Sequence, residues 1–179
     1  MSASLPVSVD AERMVAGRRS FEGVLPVAEL PRLVEALAKD SGEIAYNLDF
    51  EQGQLGDPEL HVRLVARLTL ECQRTLQPFE WPVEVDTRLG LLSREDDAAA
   101  LPEACEPLLL EHGALQPRRV IEDELLLALP LVPVKPGSEV LPGAWSAPEQ
   151  APQDAEQGDA ATHPFADLRK LMEASTRHR

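Results

Sequence analysis

The feature that most constrains this chain is an unbroken alternation from Leu60 to Cys72. Leu60, Val62, Leu64, Ala66, Leu68, Leu70 and Cys72 take every second place. His61, Arg63, Val65, Arg67, Thr69 and Glu71 fill the places between. A period of two marks a strand with one buried and one wet face. A strand this long needs long neighbours and is expected to bend or bulge. By parity Cys72 belongs to the core. His61 falls on the wet face with no ligand partner nearby, and reads as a surface histidine.

Neighbours for that strand are visible on both sides. Glu43 to Phe50 alternates in the same way, with Ile44, Tyr46, Leu48 and Phe50 on one face. Gly53, Gly56, Asp57 and Pro58 make the loop between the two. After a turn-rich stretch, Gln73 to Glu80, a third strand is predicted over Trp81–Leu92, with Val83, Val85, Thr87 and Leu89 aligned. Consecutive strands usually pair, so residues 60–92 form a hairpin. Phe21–Leu25 and Glu106–Leu110 are shorter strand candidates.

Two helices complete the pattern. Leu30, Leu33, Val34 and Leu37 share one face of a helix predicted over residues 28–38, with Pro31 in its first turn and Ser41-Gly42 ending it. Arg118 to Leu129, between Pro117 and Pro130, places Ile121, Leu125, Ala128 and Leu129 on one face. Val120, Leu126 and Leu127 widen that arc, so the helix is expected to be well buried. Glu122, Asp123 and Glu124 then lie in its first turns, where the helix dipole favours carboxylates. The expected fold is α+β: an antiparallel, curved sheet of about four to six strands, covered by helices 28–38 and 118–129.

Beyond Val134 the character changes. Residues 135–163 are acidic and rich in Pro, Ala and Gln, as a disordered linker is. Residues 164–179 read as a short amphipathic helix, through Phe165, Leu168, Leu171 and Met172, with a basic end. The domain itself is expected to span 1–134.

Charge narrows the function. The chain carries 31 acids against 17 bases, a net of −14. Residues 1–94 hold 15 acids and 10 bases, residues 95–167 hold 15 and 3, and the last twelve residues are net positive. Nucleic-acid binders draw affinity from neutralising phosphates, so a broad RNA footprint is disfavoured and a basic protein partner is favoured. Plain solubility would account for the same charge. Arg13, Arg18 and Arg19 form one small basic cluster, which reads as a solvated face rather than a phosphate site. Two cysteines, Cys72 and Cys105, make no disulfide framework. With no signal peptide and no apolar run of about 20 residues, a cytoplasmic location without membrane contact is expected.

Catalytic signatures are lacking. There is no Gly-rich phosphate loop, no nucleophile elbow and no kinase pattern. The histidines, His61, His112, His163 and His178, are scattered. Two stretches do form a recognisable pair: Thr69-Leu-Glu-Cys-Gln-Arg-Thr-Leu-Gln-Pro-Phe79, and Val120-Ile-Glu-Asp-Glu-Leu-Leu-Leu-Ala-Leu-Pro-Leu-Val-Pro133. Leu101-Pro-Glu-Ala-Cys-Glu-Pro107 lies between them and His163-Pro-Phe-Ala-Asp-Leu168 follows. In this order they resemble the YceD family of large ribosomal RNA subunit accumulation proteins, over residues 5 to 172.

The resemblance implies a role in accumulating 23S rRNA and the large ribosomal subunit, with no enzymatic activity. Family members are often encoded beside a small basic ribosomal protein of that subunit. Many relatives carry Cys-x-Arg-Cys at the hairpin and a later His and Cys, which suggests zinc. Here the second cysteine is Thr75, the His position is Lys135, and no cysteine stands near Val140. One thiol makes no structural zinc site, so no metal and no cofactor are expected. The candidate binding residues are Cys72, Arg74, Glu122, Asp123 and Glu124. Arg74 either reaches a partner's phosphate or carboxylate or bridges to Glu71 or Glu80. The expected partner is a basic large-subunit ribosomal protein, precursor 23S rRNA, or both. Rival readings are an RNA-processing enzyme or nuclease subunit, and an adaptor docking through Phe165–Met172.

Overall fold

The alternating segment forms β4, Pro58–Glu71, the central strand of a five-stranded sheet. The structure is a computed structural model that describes residues 5–53 and 56–138. In chain order it comprises β1 (Val9–Asp10), α1 (Ala11–Ala16), β2 (Ser20–Pro26), α2 (Pro31–Glu35), β3 (Glu43–Gln52), β4, β5 (Pro78–Leu92), β6 (Glu106–Leu109), β7 (Ala114–Leu115) and α3 (Pro117–Ala128). The sheet order is β2-β3-β4-β5-β6. β1 and β7 form a separate two-residue ladder.

Parity decides which side chains meet. Rows run across the sheet, such as Tyr46 beside Leu64 beside Val85, and Phe50 beside Leu60 beside Leu89. Leu48, Leu60, Val62, Leu64 and Leu68 are fully buried, as is Cys72 just beyond the strand. Against the buried residues of β3 and β4 pack Ala11 and Val15 of α1, Leu33 of α2, and Ile121 and Leu125 of α3, in one apolar cluster that does not include Cys72. The opposite face of the sheet is wet. Val24 and Val65 are exposed there, and polar side chains pair across strands: Arg63 with Asp49 at 2.6 Å, His61 with Asp86 at 2.7 Å, Arg88 with Glu51 at 2.7 Å.

The α+β class and the strands stand as expected, with four differences of detail. β5 begins at Pro78 rather than Trp81. Pro82 is tolerated within it because β6 flanks β5 only from Leu89 to Leu92, leaving the rest of that edge without a described neighbour. β6 runs parallel to β5, not antiparallel. Residues 93–105, containing a 3-10 segment at Glu95–Ala100, supply the dozen-residue crossover that a parallel neighbour requires.

The predicted helix over 28–38 is instead a 3-10 turn, Val27–Glu29, followed by the short α2. Pro31 is the cause. It disfavours helical geometry at Leu30, which sits at φ −115° and ψ 86°, so the helix restarts with Pro31 in its first turn. Its end is set by Ala38, whose N–H donates to Thr69 O on β4 at 2.8 Å. Finally, α3 buries one face only: Val120, Ile121 and Leu125 are inside, whereas Ala128 and Leu127 are exposed.

Candidate functional site

α2 is a helix without a cap of its own. Leu30, at its N-cap, has no side-chain acceptor for the first free N–H groups. Glu122 of α3 takes that place. Its Oε1 accepts from Arg32 N at 2.7 Å and Leu33 N at 3.2 Å, and its Oε2 accepts from Arg32 Nε at 2.8 Å. Asp123 completes the clamp, accepting from the Arg32 guanidinium at 2.6 Å. A carboxylate at a helix N-terminus also meets the positive end of the dipole. α3 begins at Pro117, so its own first turn carries no acid. Glu122 and Asp123 therefore serve another helix rather than their own. Nothing in the sequence marks Arg32 as the partner, ninety residues away.

Glu124 points elsewhere. It is half-buried, and burial raises its pKa from the ordinary value, helped by the charges of Glu106 and Asp123. A second buried acid, Glu59, is not marked by the motifs. Burial raises its pKa, the neighbouring Asp57 adds to this, and Arg88, at 3.3 Å, opposes it. Cys105 is buried and its thiol pKa is likewise raised, first by burial and then by Glu59 and Asp57.

Cys72 and Arg74 lie in the turn between β4 and β5. Here the two sequence motifs meet: Gln73 N donates to Pro133 O at 2.9 Å, and Lys135 N donates to Cys72 Sγ at 3.3 Å. Leu70, Cys72 and Phe79 form a small cluster with Leu129 and Val134 beside it. That Lys135 N–H bond is the main reason the Cys72 thiol pKa falls to about 6; the Thr75 hydroxyl and the N–H groups of Arg74 and Thr75 add to it. Arg74 is exposed, and among the described residues it pairs with neither Glu71 nor Glu80. No hydrogen bond or ion pair among the described residues joins this turn to the Glu122 clamp.

With the geometry in place, comparison with known proteins decides the family. The family model described as large ribosomal RNA subunit accumulation protein YceD matches residues 60–172. The chain belongs to the YceD family. A curated YceD protein bearing that description, from Haemophilus influenzae, is 31% identical over 135 residues, covering 73% of this chain and 75% of the relative. No solved structure matches.

The zinc implied for many YceD relatives finds no set of ligands here. Around Cys72 Sγ stand two hydroxyls, Thr75 and Ser138, and the backbone N–H of Lys135. Val140, where a later cysteine was sought, lies outside the described residues. Hydroxyls are not the thiolate or imidazole donors of structural zinc, and donated N–H groups point at the sulfur from directions a cation would use. Among the described residues no three His, Cys, Asp or Glu side chains gather as a metal site.

Proposed function

We propose that this YceD protein promotes accumulation of 23S rRNA and of the large ribosomal subunit by binding, not by catalysis. In this reading it holds a basic large-subunit ribosomal protein before assembly. The observation that carries it is the state of the charges. On the sheet's open face Arg63 and Arg88, and between α2 and α3 Arg32, are engaged by carboxylates, while Arg67 on that open face has no ion pair among the described residues. By contrast Glu95, Asp96, Asp97, Glu103, Glu106 and Glu111 stand exposed along one stretch, with Arg94 paired only to Asp96. Such a surface steers a basic polypeptide towards itself and repels RNA.

The nuclease reading needs free carboxylates converging on a metal. Glu122 and Asp123 are instead held by Arg32. The adaptor reading rests on residues 164–179, which lie outside the described residues.

The test is direct binding of the purified full-length chain to basic large-subunit ribosomal proteins. Binding is expected at physiological salt and should weaken steeply as salt rises. Reversing Glu95, Asp96 and Asp97 to Lys should slow association by about tenfold. No binding at physiological salt, or binding only to precursor 23S rRNA, would contradict the proposal.

A further inference from the structure

Two turns meet at Cys72. One, of five residues, runs from Cys72 to Leu76 and closes with Leu76 N donating to Cys72 O at 2.8 Å. The other runs from Lys135 to Ser138 and closes with Ser138 N donating to Lys135 O at 3.0 Å. Gly137 makes that turn possible, at φ 77°. The second turn, of four residues, brings the Lys135 N–H and the Ser138 hydroxyl to the Cys72 sulfur. Cys72 Sγ lies 3.8 Å from Ser138 Oγ. Two sulfurs bound to one tetrahedral zinc, each about 2.3 Å from the ion, are themselves about 3.8 Å apart.

We propose that this is a metal-site frame closed by hydrogen bonds instead of an ion. The Cys72 sulfur accepts from the Lys135 N–H at 3.3 Å, while Ser138 Oγ donates to Lys135 O at 2.6 Å. The Lys135 N–H bond fastens residues 135–138 onto the β4–β5 turn and the Ser138 bond braces the second turn from within; together they perform the task an ion would perform in a ligand set of thiolates. The frame is complete except for its donors, so restoring them restores metal binding. Nothing in the device depends on the ribosomal role.

The test uses the full-length chain and zinc alone. Wild type, loaded with equimolar zinc and gel-filtered, should retain no metal, and its Tm should be unchanged by EDTA. The triple variant Thr75→Cys/Lys135→His/Ser138→Cys should retain one zinc and acquire an EDTA-sensitive Tm. Wild type that retains one zinc and melts earlier with EDTA overturns the proposal, as does a folded triple variant that takes up none. Should the triple variant fail to fold, amide exchange at Lys135 in Ser138→Ala decides. It should speed up about fivefold, the worth of one hydrogen bond; an unchanged rate overturns the proposal.

Discussion

Glu122 shows how far a residue's work can lie from its sequence neighbours. Its side chain is only 8% exposed and accepts three hydrogen bonds from Arg32 and Leu33. Removing it leaves two helix N–H groups and the Arg32 Nε without their acceptor. Glu122→Ala should cost about 3 kcal/mol in urea unfolding, whereas Asp123→Asn, at an exposed pair, should cost under about 1 kcal/mol. Glu59 argues in the other direction. Its folded pKa is raised, so its stabilising contribution is present below the unfolded carboxyl value and lost as pH rises through the folded one. At neutral pH the ionised form is a liability. Glu59→Gln should raise Tm by about 2–4 °C at pH 7, and the gain should vanish below about pH 4. A gain that persists at low pH would place the effect outside titration.

At the scale of elements, the sheet was legible and the short helices were not. Strict alternation in β3 and β4 leaves one arrangement that buries every Leu, Ile and Val of one set, so burial followed from parity alone. Cys72 is buried as parity requires. α1 carries a start signal, with Asp10 accepting from Arg13 N at 3.0 Å, but six residues are too few to show a helical period. The break at Leu30 was written in Pro31, yet the apolar spacing through Leu33, Val34 and Leu37 outweighed it. In α3 the spacing over-assigned the core. Leu125 lies on the face that meets β4 and β5, while Leu127 turns to solvent. Leu125→Ala should therefore cost about 2–5 kcal/mol, and Leu127→Ala less than about 0.5 kcal/mol. Equal costs, read from urea midpoints, would mean that α3 packs differently. The candidate site was half legible: Cys72 and Arg74 share a turn, but the partners of Glu122 and of Cys72 come from distant segments that no local pattern links.

For the whole molecule, charge and family point the same way. No described helix is long and apolar enough to cross a membrane. A net charge of −14 suits a protein that meets basic partners, and on the wet face of the sheet Arg63 and Arg88 are paired with carboxylates. The family membership supplies the link to accumulation of the large ribosomal RNA subunit. The most direct measurement is a sucrose-gradient profile of ribosomal particles, with 23S rRNA quantified, in cells with and without this protein. Loss of large subunits and of 23S rRNA, with small subunits spared, is the expected result. An unchanged profile in cells lacking the protein would contradict a role in large-subunit assembly.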